Sequence, residues 1–126
     1  MAFLWPTQRF ARGVAQNYIT LFDIIDSIFE IESILENVQE SEYLKNNEKK
    51  FALERLFEIV GEAANHLSDE IVYDKESVIP WQKMISMINF LSHEYFKVND
   101  LLVYKTAITE LIPLKPIIEK LYNQFD

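Results

Sequence analysis

Apolar residues recur along this chain at three- and four-residue intervals, in runs long enough for helices and separated by polar stretches. From Val14 to Leu35, the positions Ile19, Phe22, Ile25 and Phe29, then Ile28, Ile31 and Leu35, are interleaved with Asp23, Asp26, Glu30, Glu32 and Glu36. This predicts a first amphipathic helix. The polar stretch from Glu40 to Lys50, with Asn46 and Asn47, reads as a loop. A second helix is predicted from about Glu48 to Leu67. Projected at about 100° per residue, Leu53, Leu56, Phe57, Val60, Ala63, Ala64 and Leu67 share one face. Arg55, Glu58, Glu62 and His66 lie opposite, either as a solvated charged face or as one wall of a polar cleft.

A loop from Ser68 to Ile79 leads into Pro80, whose fixed φ and missing donor suit a first helical turn. The third predicted helix runs from Trp81 to Tyr95. Trp81, Met84, Ile85, Ile88, Leu91 and Tyr95 fall within one arc centred on Ile88, with Asn89 and His93 one turn apart on its flank. Asn99 or Asp100 can cap a fourth helix carrying Leu102, Ala107, Ile108 and Leu111. Pro113 and Pro116 mark a break and a restart, after which Leu114, Ile117, Ile118 and Leu121 form the stripe of a short last helix. The expected fold is all-α, a four- to five-helix antiparallel bundle. Residues 14–126 form the helical domain, and residues 1–13, with Pro6 and a short apolar run, are expected to be an irregular N-terminal arm.

Composition narrows the function. The chain has 126 residues, 49% of them hydrophobic, enough for one core at roughly 25 cal/mol per Å² of buried apolar surface. It has no cysteine and two histidines, so thiol chemistry is excluded and no metal or cofactor is expected. There is no glycine-rich phosphate loop, and the spacing of Glu62 and His66 differs from the Glu-x-x-His pairs of di-iron bundles. Charge breaks every apolar stretch well short of the roughly 20 residues that span a bilayer, which leads us to expect a cytoplasmic protein that does not enter the membrane. The net charge of −8 opposes general coating of nucleic acid, so any RNA contact must be local. The excess of negative charge lies before Pro80, so RNA would approach the C-terminal half.

Two segments carry a specific resemblance. One reads Ile79-Pro80-Trp81, then Met87-Ile88-Asn89, then His93-Glu94-Tyr95; the other reads Arg55, five residues, then Gly61-Glu62-Ala63-Ala64. In kind and order they resemble the HepT-like branch of the HEPN superfamily, where Ile-Pro-Trp leads to Met-Arg-Asn, three residues, and His-x-Tyr. The similarity extends over about Ala15 to Leu121. It implies an all-α homodimer in which an Arg-x4-His motif from each subunit lines a shared cleft that cleaves RNA without metal. The RNA 2′-hydroxyl would act as nucleophile, a histidine would move protons, and an arginine would stabilise charge on phosphate.

The resemblance implies catalytic roles for His93 and Asn89, and binding or modification roles for Tyr95, Arg55 and Glu62. In the family the tyrosine is the residue that a cognate minimal nucleotidyltransferase antitoxin modifies with AMP. The chain departs from the pattern at Ile88, five positions before His93, where the family places arginine. A hydrocarbon side chain cannot donate to phosphate. Two functions therefore stand side by side: a toxin–antitoxin component with a degenerate RNase motif, and a non-catalytic dimeric module that keeps only partner or nucleotide binding. Loss of the arginine in this one copy is a third possibility.

Overall fold

In the computed structural model, the backbone is described for residues 4–91 and 99–124, and side chains for residues 15–91 and 99–124. Within these residues the fold is all-α. Seven helices follow in order: α1 (Leu4–Leu35), α2 (Glu40–Leu44), α3 (Asn47–Ala64), α4 (Asp69–Val72), α5 (Trp81–Asn89), α6 (Asp100–Thr106) and α7 (Ile112–Asn123). A π-helical turn, Ala107–Leu111, joins α6 to α7. α1 is the spine, packed against α3 and α7, and α5 packs against α3. Among the described residues, no helix is long and apolar enough to cross a membrane.

Residues 4–13, expected to be irregular, are helical and continuous with the rest of α1. Pro6 is tolerated because it falls in the first turn, where backbone N–H groups have no intrahelical partner to lose. At its other end α1 is closed by Asn37, which takes a left-handed conformation with φ of 59°. Asparagine adopts that conformation more readily than most residues. The polar stretch read as a loop contains the short helix α2, whose Tyr43 is fully buried and so ties this connection to the core.

Of two possible apolar stripes on α1, packing selects Leu21, Ile24, Ile28, Ile31 and Leu35. Ile19, Phe22 and Phe29, predicted to share the core face, remain exposed at 55%, 52% and 55%. α7 shields part of them. Tyr122 stacks on Tyr18 with centroids 4.4 Å apart and sits 6.2 Å from Phe22, while Lys115 Nζ lies 5.2 Å from the Phe29 centroid and bridges to Glu32 at 3.2 Å.

α3 buries Leu53, Leu56, Phe57, Val60 and Ala64 on the predicted face, and its N-cap Asn46 accepts from Lys49 N. Buried Asn17 of α1 locks onto the turn after α3: its Nδ2 donates to Ser68 Oγ and its Oδ1 accepts from Ser68 N, both at 3.0 Å. Asn99 caps α6, accepting from Leu102 N at 3.1 Å. The predicted break at Pro113 does not occur. The chain stays helical through the π turn, in which Ile112 N donates to Ala107 O, and Pro113 enters the first turn of α7, where its missing donor is tolerated.

Candidate functional site at the α3–α5 contact

The two motif-like segments, far apart in sequence, meet in the fold. A Cβ added at Gly61 of α3 would lie 2.9 Å from Ile88 Cγ2 and 3.1 Å from Asn89 Oδ1 of α5. Glycine lets the helix backbones approach, and the Gly-Glu-Ala-Ala run supplies small residues on the same helix. Ile88 Cγ2 has little freedom to retreat, because β-branched residues in helices are held to one χ1 rotamer. Gly61→Ala is therefore expected to lower stability by about 1–3 kcal/mol through overpacking, even though alanine favours helix by about 1 kcal/mol. Urea denaturation of the variant would measure it; a stabilised protein would mean the contact relaxes freely.

Ile88 is 0% exposed, enclosed in the core. A narrow crevice of about 10 Å³ runs beside it, reaching Lys83 and Glu110. Asn89 is half-buried, and its Oδ1 is sealed with no hydrogen-bond donor among the described residues. An orphaned buried acceptor is costly and marks a place where a donor would be welcomed.

Arg55 and Glu62 are not gathered at this contact. Arg55 is exposed on the outer face of α3 and donates to Glu58 Oε2 at 3.0 Å. It lies about 9 Å along the helix from Gly61 and roughly a third of a turn around it. Glu62 and His66 are exposed on the same outer face. His93 and Tyr95 lie outside the described residues. Among the described residues, no three His, Asp or Glu side chains come together as metal ligands.

Two polar clusters were missed in the sequence. The first joins α2, α3 and α6. Lys50 Nζ sits 3.4 Å from Asp100 Oδ2, while Asp100 Oδ1 and the Tyr43 hydroxyl are buried without a partner among the described residues. Burial pushes the Glu54 carboxyl up from the ordinary glutamate range. The Asp100 charge and a hydrogen bond to Asp100 add to the shift, as does Glu58, against opposition from Lys50. The Tyr43 phenol is raised well above its usual value, first by burial, then by Asp100 and Glu54.

A carboxyl whose pKa is raised on folding holds its proton more tightly in the native state. Its contribution is complete below the ordinary glutamate range and is lost as pH rises through the raised value. Glu54→Gln should therefore stabilise the protein near neutral pH and remove this part of the pH dependence. Urea midpoints for both proteins across pH 4–8 would show it, and parallel curves would refute it.

The second cluster is a hollow of about 270 Å³ between the end of α3, α4 and α5, with Asn65, Asp69, Tyr73, Gln82 and Ser86 among its walls. The spacing of Gln82, Ser86 and Asn89, four and then three residues, was the available signal. It marks a polar stripe on the helix that carries the motif.

The family model described as "Ribonuclease HepT-like" matches residues 24–121. A "Probable ribonuclease HepT" of Thermococcus cleftensis is 32% identical over 101 residues, covering 80% of this chain and 91% of that protein. Two candidate RNases of Methanocaldococcus jannaschii are similar as well. One is 30% identical over 106 residues, covering 84% of this chain and 87% of its own length; the other is 26% identical over 99 residues, covering 79% and 90%. No solved structure matches the chain significantly. With the matched region spanning α3, α5 and the contact between them, the chain belongs to the HepT-like ribonuclease family of the HEPN superfamily.

Proposed function

We propose that this chain is a HepT-like toxin–antitoxin component, an RNase-type HEPN domain with a degenerate motif that pairs with a second copy and acts with a minimal nucleotidyltransferase antitoxin. The observation that carries the degenerate part of the reading is Ile88, wholly buried where the family's arginine would stand. The ribonuclease names of the similar proteins support the substrate class.

In this reading the RNA 2′-hydroxyl attacks the adjacent phosphorus. The 2′-O–P bond forms, the P–O5′ bond breaks, and His93 takes the proton from the nucleophile, with a proton returned to the leaving oxygen. Asn89 holds the approaching backbone. Without an arginine donor the charge on phosphate is poorly stabilised, and cleavage is expected to run about 10²- to 10³-fold slower than in a relative that has it.

The test is cleavage of RNA by the wild type and by His93→Ala, with chelator present. Slow cleavage that chelator leaves intact and His93→Ala abolishes is the expected result. Identical backgrounds would instead favour a non-catalytic dimeric module that retains only partner binding, a reading to which the burial of Ile88 also lends weight. Co-expression with a nucleotidyltransferase partner should give a stable complex or an AMP adduct on Tyr95, and sedimentation should report a dimer. Arg55 and Glu62, on the exposed face of α3, are proposed as partner-facing residues.

A further inference from the structure

We infer that the hollow between α3, α4 and α5 is a subsite for an unpaired guanine base of the RNA, an inference that rests on the reading of RNA as substrate. Its volume, about 270 Å³, is just below the roughly 300–1,000 Å³ of sites that enclose drug-sized ligands, and so suits one nucleoside. Leu67 and Ile85 give it an apolar part, and Asn65, Gln82 and Ser86 supply amide and hydroxyl groups. Such a mixture suits a flat heterocycle with a polar edge.

Charge selects which part of a nucleotide enters. Among the described residues lining the hollow, Asp69 is the one that carries a charge, with no lysine or arginine beside it. A carboxylate repels phosphate and attracts paired N–H donors. Guanine presents two adjacent donors on its Watson–Crick edge, N1–H and the N2 amino group. Adenine and cytosine each offer one donor beside a ring nitrogen acceptor, and uracil offers one between two carbonyls. Only guanine satisfies both oxygens of Asp69.

Tyr73, at the end of α4, completes the site. It is 60% exposed and belongs to the wall of the hollow, so its ring is available as a platform on which a base can stack. Gln82 and Ser86 stand one turn apart on α5, and Asn89 follows on the same helix. A base held in the hollow would thus direct the neighbouring backbone along α5 toward the motif segment.

The experiment titrates guanosine, adenosine, cytidine and uridine, all lacking phosphate, into the full-length protein and follows binding by amide chemical shifts. Guanosine is expected to bind at least tenfold more tightly than the others. Asp69→Asn and Tyr73→Ala are expected to weaken guanosine by about tenfold each while leaving the dispersed spectrum of a folded protein. Gln82→Ala, on a separate helix, gives an independent check through a smaller loss. Equal affinity for the four nucleosides, no binding, or guanosine binding unchanged in these variants would overturn the subsite. Guanosine binding without any RNA cleavage would remove the ribonuclease reading but keep the pocket. Cleavage indifferent to base, without guanosine binding, would do the reverse.

Discussion

Ile88→Arg is expected to destabilise the protein by about 3–5 kcal/mol and not to restore a working RNase. Ile88 is fully enclosed, with its Cγ2 against Gly61 and its surroundings drawn from α3, α5 and the π turn. A guanidinium placed there meets apolar side chains and carries five donors, which the single orphaned acceptor nearby, Asn89 Oδ1, cannot satisfy. The long arginine stem could turn outward along the crevice toward Glu110. With room of about 10 Å³, that exit forces neighbouring helices apart.

At roughly 3–5 °C per kcal/mol for a domain of this size, the melting temperature should fall by about 10–25 °C. Ile88→Met, close in volume, serves as control and should cost less than about 1.5 kcal/mol. Denaturation of the three proteins decides the matter. An arginine variant as stable as the wild type, and newly able to cleave RNA, would mean that position 88 opens onto a cleft.

Trp81→Ala should be comparably severe, at about 3–5 kcal/mol. Trp81 opens α5, is 1% exposed, and is among the largest fully buried side chains. Its backbone is held by the turn it makes, with Trp81 N donating to Ile79 O at 2.9 Å and Met84 N to Pro80 O at 2.9 Å. Truncation leaves a cavity that a bundle of rigid helices cannot fully close. The indole Nε1 has no acceptor among the described residues, so it adds no hydrogen bond to the loss. For that reason Trp81→Phe, which keeps most of the ring and removes an unsatisfied donor, should cost markedly less than Trp81→Ala. Equal losses in the two variants would show that the indole contributes more than bulk.

Much of the helical order was legible in the sequence because amphipathic period and caps are local properties. The stripe Leu53, Leu56, Phe57, Val60 and Ala64 is buried as its spacing predicted, and Asn99 caps its helix as its residue type predicted. α1 was harder. It carries two apolar stripes of similar strength, and which one enters the core depends on where α3 and α7 dock. The proline pair was misread for a related reason: a proline in isolation ends a helix, but here the preceding π turn carries the chain through it.

The candidate site divides in the same way. Sequence alone picked out the two motif-like segments and the isoleucine at position 88, because they are matters of residue type and spacing. Only the tertiary structure decided that Gly61 meets Ile88 and Asn89, that Arg55 and Glu62 face solvent on α3, and that Glu54 and Asp100 share a half-buried corner. Periodicity fixes which side of a helix is apolar. The partner against which that side is pressed, and hence the burial, charge and close approach that give side chains their chemistry, follows from packing between segments distant along the chain.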